Sequence, residues 1–218
     1  MIHYLYADQL STYPKLRDGM FRDRALQFKN RLGWEVEVDA NGKECDDYDA
    51  LNPLYVIWEN TDGTHGGSMR FLPTTGPTMV NDHFNELSDG VHIESPLIWE
   101  CTRFCLAPNA PAGTATALML GGSEVGVNFH LSHAVGVFDE RMVRIFSRLG
   151  WGPVIMGTQG EGRDAISLGF WEYSKEIREK MYEKSGISAA QSAQWFNRAF
   201  GTPSAQVGDA EKSLTFAM

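Results

Sequence analysis

Residues 95–106, SPLIWECTRFCL, set one acid and one base inside an otherwise apolar run, and this constrains the fold more than any other stretch. Its aromatic and β-branched residues after Ser-Pro predict a strand from Leu97 to Leu106. Glu100 and Arg103 have opposite parity on that strand, so they are expected to project from opposite faces of its end. A lone carboxylate in such surroundings is costly to bury unless something pairs or solvates it. A structural ion pair at a strand end would meet the need as well as a catalytic one, so the partners must be sought elsewhere in the chain. Cys101 and Cys105 share parity but stand about 13 Å apart by strand rise, too far for a disulfide. With no evident histidine partner they read as small buried apolar residues.

Upstream, residues 2–7 (IHYLYA) predict a first strand. Apolar positions from Pro14 to Leu32 recur at helical spacing, with Pro14 suited to the first turn and Gly33 to the stop. Arg24 and Phe28, four apart, share a face of that helix. Residues 35–53 form a loop carrying Glu44, Asp46, Asp47 and Asp49; four acids so close read most simply as a solvated loop, and the order required for a calcium loop is absent. Leu54–Trp58 and Gly66–Leu72 predict a strand pair across NTDGTHGG, the second strand bearing Arg70. Residues 74–94 are turn-rich, with Met79, Phe84 and Leu87 able to cover a pocket.

Downstream, APNAPAG predicts a loop, with Thr114 capping a helix toward Leu131 despite three glycines that each cost about 1 kcal/mol against alanine. His133–Phe138 is a strand, and Asp139 starts a helix through Leu149 that carries a stripe of Arg141, Arg144 and Arg148 opposite Met142, Ile145, Phe146 and Leu149. Strands at Trp151–Met156 and Ala165–Tyr173, helices at Ser174–Lys184 and Ser188–Phe200, and a poorly ordered tail after Gly201 complete the chain. Alternating hairpins and crossovers indicate an α/β sandwich with a mixed central sheet.

The 218 residues suit one domain, taken as 1–201 with a flexible tail at 202–218. A net charge of −9 argues against sequence-independent nucleic-acid binding, which leaves the arginine stripe as the place to seek an acidic partner. No apolar run reaches membrane-spanning length and MIHYLYADQL lacks a signal-peptide pattern, so a cytoplasmic chain without membrane association is expected. There is no P-loop, dinucleotide fingerprint or nucleophile elbow, and the histidines and cysteines lack metal spacing, so no metal is expected.

Taken together, RxxxF followed by RLGW (Arg24, Phe28, Trp34), ECDDYD (Glu44, Asp46, Asp49), GSMRFLPT (Ser68, Arg70), WECTRF (Glu100, Arg103, Phe104) and RMVRIFSRLGW resemble the acyl-homoserine-lactone synthases, the LuxI-type autoinducer synthases, over roughly residues 20–175. The resemblance implies an acetyltransferase-like (GNAT-like) three-layer sandwich with a V-shaped cleft in its sheet. It implies a quorum-sensing enzyme that moves an acyl chain from acyl carrier protein to the amine of S-adenosylmethionine and then lactonises the product, with methylthioadenosine released and no cofactor. An acyl-coenzyme A-dependent N-acyltransferase of the same fold is the alternative, and a non-catalytic binder that kept the cleft is a third reading.

On that resemblance Glu100, Arg103, Asp46 and Asp49 are catalytic, with Glu100 as the base. S-adenosylmethionine is bound by Arg24, Phe28, Trp34, Asp46, Asp49, Arg70, Arg103 and Phe104, whose two signs of charge and aromatic faces suit an ammonium, a carboxylate and a sulfonium. Trp99, Cys101, Met119, Phe138 and Trp151 are candidates for an acyl pocket, although core packing would use them too. Arg141, Arg144 and Arg148 become docking residues for the acidic carrier protein. Acetyltransferases of this fold usually hold the coenzyme A pyrophosphate on a Gln/Arg-x-x-Gly-x-Gly turn after the central strand; here two prolines in APNAPAG remove backbone donors, which favours the carrier protein.

Overall fold

The computed structural model describes residues 1–162 and 165–201. Seven strands, β1 (Ile2–Tyr6), β2 (Leu54–Glu59), β3 (His65–Pro73), β4 (Ile98–Leu106), β5 (His133–Asp139), β6 (Val154–Gln159) and β7 (Ile166–Glu172), form one mixed sheet in the order β1-β2-β3-β4-β5-β7-β6. Six α-helices flank it: α1 (Pro14–Arg24), α2 (Met79–His83), α3 (Thr114–Asn128), α4 (Glu140–Leu149), α5 (Lys175–Ser185) and α6 (Ala189–Phe200). The expected tail, residues 202–218, lies outside the described residues.

The sheet is sandwiched. On one face Leu16, Met20 and Phe21 of α1 bury against Leu5, Tyr55 and Ile57, while Val80 of α2 joins Val135 and Leu168 further along. On the other face Leu118, Leu120 and Val125 of α3, Met181 of α5 and Phe196 of α6 close over Ile2, Val56, Met69 and Phe71. Each fully buried side chain of this size contributes about 1.5–3 kcal/mol of apolar transfer energy. Thr114 does not cap α3; that position is Gly113, at a φ of 91°, and the Thr114 hydroxyl donates to the Pro111 carbonyl at 2.8 Å.

The α3 glycines that weaken its helix propensity are there for approach to the sheet. A Cβ on Gly126 would lie 2.0 Å from the Tyr173 ring, and one on Gly121 would lie 2.5 Å from Val56. Gly126→Ala is therefore expected to lower the unfolding free energy by about 1–3 kcal/mol, because overpacking outweighs the helix-propensity gain of about 1 kcal/mol. Urea unfolding measures it, and a net stabilisation would show that the Tyr173 ring gives way.

Two boundaries and one strand register differ from expectation for physical reasons. The first helix is α-helical only to Arg24 and continues as a wider π-helical segment, Ala25–Arg31. Such a segment re-aims the side chains within and after it, Phe28 and Trp34 among them. The strand expected at Trp151 begins instead at Val154, because the Trp151 N–H is used to close α4 on the Phe146 carbonyl. In β4, Ser68 and Arg70 pair with Cys105 and Thr102, so one β3 residue faces two on β4. This is a bulge, and within it Arg103 adopts a φ of 54°.

The bulge overturns two parity expectations. Arg103 is turned to the same face as Glu100 and Thr102, where it meets the acidic loop. Cys101 and Cys105 end on opposite faces: the Cys101 thiol lies 3.7 Å from the Met69 sulfur on the α3 side, whereas Cys105 pairs across the sheet with Ser68, whose hydroxyl meets His65 on the α1 side. Burial pushes both thiols up, to about 12, so neither supplies a thiolate nucleophile near neutrality.

Candidate active site

The β4–β5 pair is parallel and short, joining only Ile98–Glu100 to His133–Val135. Beyond Glu100 the two strands leave the ladder and a cavity of about 720 Å³ opens, lined from both faces of the sheet. This is a V-shaped cleft. On the α1 side its wall is Phe28, Trp34, Met79, Phe84, Glu100 and Arg103; on the α3 side it is mainly Met69, Phe71, Met119, Phe138, Phe146, Trp151 and Trp171.

Glu100, 1% exposed, stands where the fork begins. Its carboxylate accepts the Val80 N–H at 2.6 Å and the Met79 N–H at 3.1 Å, both from the first turn of α2. Burial raises its pKa to about 7, against the pull of those two donors. A carboxyl group poised there can take a proton near neutral pH without being permanently charged.

Behind the cavity wall lies a three-by-three ion network. Arg24 donates to Glu44 and, bidentately, to Asp49 at 3.0 and 2.9 Å. Arg70 donates to Asp46, to Asp49 at 2.8 Å and to the Thr102 hydroxyl at 3.0 Å. Arg103 donates to Glu44 at 2.9 Å and pairs with Asp46 at 2.7 Å. Burial works against the charges on Arg24 and Arg70, yet the carboxylates beside them hold both above their ordinary pKa. Burial would raise Asp49, but Arg24 and Arg70 hold it well below the usual carboxylate range. The acidic loop is shaped to deliver these groups: Asp46 and Asp49 cap each other's N–H groups, at 2.9 and 3.2 Å, on either end of one turn of 3-10 helix.

The expected substrate-binding residues therefore separate into two groups. Phe28, Trp34, Arg103 and Phe104 line the cavity, with Phe28 stacked on Trp34 at 5.1 Å and the Arg103 guanidinium 5.5 Å from the Phe28 ring. Arg24, Asp46, Asp49 and Arg70 lie outside the lining and grip one another and Arg103. Of the acyl-pocket candidates, Cys101, Met119, Phe138 and Trp151 line the cavity, while Trp99 is a correction: it lies outside the lining and packs on Phe129 at 5.6 Å.

Arg141 sits at the rim, tied to Asp139 at 2.8 Å. Arg144 and Arg148 are exposed on α4 and have no ion-pair partner among the described residues. Glu44, fully buried, belongs to the network although the sequence reading placed it in a solvated loop. A charge count was the available signal, since three arginines gathered at one site, two of them fully buried, call for three carboxylates.

No cluster of three or more His, Cys, Asp or Glu residues suited to a metal occurs among the described residues. None of their helices is long and apolar enough to cross a membrane.

A family model described as autoinducer synthase matches residues 8–181. An acyl-homoserine-lactone synthase of Rhizobium etli is 37% identical over 183 residues, covering 81% of this chain and 86% of that one. Among solved structures, the CoA-dependent acyl-homoserine lactone synthase MesI superposes with a TM-score of 0.76 at 23% identity, over 87% of this chain and 97% of that one. An acyl-CoA N-acyltransferase of Pseudomonas aeruginosa superposes with a TM-score of 0.52 at 12% identity, over 79% of this chain and 99% of that one. The layers, the forked sheet and these likenesses make the fold acetyltransferase-like. The chain belongs to the autoinducer synthase family, the acyltransferases that make acyl-homoserine lactones.

Proposed function

We propose that this enzyme acylates the amine of S-adenosylmethionine from an acyl carrier protein thioester and then lactonises the product. The observation that carries the reading is the Glu100 carboxyl at the fork of the sheet, with a pKa near 7, facing a cavity that has a charged aromatic limb on one side and an apolar limb on the other.

In the first limb, Phe28 and Trp34 offer aromatic faces to the sulfonium, an attraction worth about 0.5–2 kcal/mol. Arg103, fixed by Glu44 and Asp46, offers a cation to the carboxylate. Glu100 takes a proton from the ammonium, directly or through one water, and the freed amine attacks the thioester carbon. A C–N bond forms, the C–S bond breaks and the thiol leaves. Backbone N–H groups of β4 beyond Glu100, no longer committed to the β5 ladder, stabilise the oxyanion. The acyl chain lies along Met69, Phe71, Met119 and Phe146. The substrate carboxylate then attacks the γ-carbon, a C–O bond forms and methylthioadenosine departs with the sulfonium electrons; the intramolecular geometry favours this step.

Support for the carrier protein as donor comes from the loop before α3. Pro108 and Pro111 carry no N–H, and the Ala110 and Thr114 N–H groups are already used on the Ala107 and Pro111 carbonyls. The loop N–H groups left without a backbone acceptor are those of Asn109, Ala112 and Gly113, fewer than an uninterrupted glycine-rich turn would offer a pyrophosphate. Arg144 and Arg148 give an acidic carrier an exposed surface to meet.

The test is incubation with S-adenosylmethionine and matched acyl thioesters of carrier protein and coenzyme A, with products identified by mass spectrometry. The expected result is an acyl-homoserine lactone with stoichiometric methylthioadenosine, and a kcat/KM for the carrier thioester at least about tenfold higher, the effect of one interaction of about 1.4 kcal/mol. An acylated product without methylthioadenosine would overturn the reaction, and a preference for coenzyme A would overturn the donor. Arg148→Glu is expected to raise the KM for the carrier thioester, with the difference shrinking as salt is added; a KM indifferent to both would remove α4 as the docking surface.

A further inference from the structure

Arg70 is fully buried and absent from the cavity wall, and two lining residues, Thr102 and Met79, lie against its guanidinium. The Met79 sulfur lies 3.7 Å from Arg70 Nη2 and 3.4 Å from Arg103 Nη1, and Met79 itself lines the cavity. Arg70 Nη2 also donates to Asp46 at 2.9 Å, and apart from Arg103 Nη1 every guanidinium nitrogen of these two arginines meets a carboxylate or hydroxyl oxygen. Arg103 Nη1, in contrast, has a thioether as its acceptor among the described residues, and a thioether is a weak one. Two N–H groups from different arginines converge on one sulfur, the geometry that suits the two oxygens of a carboxylate under a removable cover. Methionine suits the cover, because its unbranched side chain can swing aside by side-chain rotation alone. The Met79 N–H can thus stay on Glu100.

We propose that Met79 is a specificity-determining cover over the site that takes the carboxylate of the amino-acid portion of the substrate, displaced when that carboxylate bridges Arg70 and Arg103. This deepens the S-adenosylmethionine reading and rests on it. It also gives Arg70, whose present carboxylate partners are Asp46 and Asp49, a route to the substrate carboxylate despite its burial.

The test compares two probes, S-adenosylhomocysteine and its decarboxylated amine, by calorimetric titration of the wild-type enzyme and Met79→Ala. Uncovering the seat is expected to tighten S-adenosylhomocysteine about 3- to 10-fold relative to the decarboxylated probe, the worth of a hydrogen bond no longer contested. A ratio that is unchanged or falls would overturn the proposal. A second readout needs no variant: with methyl-labelled methionine, the Met79 resonance is expected to shift on adding S-adenosylhomocysteine and to stay with the decarboxylated amine, whereas equal shifts with both would overturn it. If the wild-type enzyme bound neither probe, the S-adenosylmethionine reading would fall with the cover. If both bound with one ratio in wild type and variant, only the cover would fall.

Discussion

Asp49→Asn is expected to cost about 3–5 kcal/mol of unfolding free energy at pH 7, the penalty for breaking a buried pair and leaving its partner charge uncompensated. Asp49 takes both terminal nitrogens of Arg24 and one of Arg70, and it also accepts from the Tyr55 hydroxyl. Asparagine keeps the shape, but its amide nitrogen points a donor at a guanidinium, so the loss is electrostatic rather than steric. The pH dependence follows from the depressed pKa of Asp49. Its folded value lies below the unfolded value of about 3.9, so its stabilisation is fully present above that value and fades only as pH falls toward the folded one. The gap between wild type and variant, read by urea unfolding, should stay constant from pH 8 to about 5 and narrow only below about 4. Glu100, whose folded pKa is raised, gives the opposite slope between its unfolded value of about 4.3 and about 7, but it is common to both proteins and cancels. A gap under about 1 kcal/mol would mean that the network is no more than a surface ion pair in its energetics.

Glu100→Gln is expected to lower the rate of thiol release by about 10²–10³-fold, within the range supplied by a positioned general base, while the KM for S-adenosylmethionine changes little. Glutamine still accepts the Val80 N–H but gives up the longer bond from Met79. A neutral side chain also carries no ionisation cost at pH 8, so folding should be only slightly affected. Activity close to wild type would leave Glu100 a structural anchor for α2.

The organisation of the chain was legible because strong local signals agree with the tertiary fold. Pro14 and Gly33 bracket the first helical stretch, the run around Glu100 is a strand, and Gly150 ends α4 in the left-handed conformation it requires. What could not be read depends on backbone irregularities that leave no residue signature. Arg103 occupies a φ of 54° with no glycine to advertise it, and the bulge it makes reverses the parity of everything after it, which is why Cys101 and Cys105 part company. The π-helical segment likewise hides in an ordinary helical pattern.

At the site, the acids and arginines were recognisable as a set, but their division of labour was not. Arg24 and Glu44 are 20 residues apart, and Arg103 and Glu44 are 59 apart, so nothing local shows that the acidic loop folds inward to neutralise buried arginines. The loop composition suits solvent equally well. Trp99 shares its face with Cys101 but is still paired to β5, and since apolar lining and apolar core are written in the same residues, only the divergence of β4 from β5 after Glu100 decides where along the strand the cavity begins.

The most direct test of Glu100 as the group that frees the amine is the pH profile of single-turnover thiol release, with both substrates saturating, in the wild-type enzyme and Glu100→Gln. The expected wild-type profile rises with an apparent pKa near 7, the value of the buried carboxyl. In the variant that limb should be replaced by one near 8, set by the ordinary ionisation of the substrate amine. Identical ascending limbs in the two proteins would contradict it.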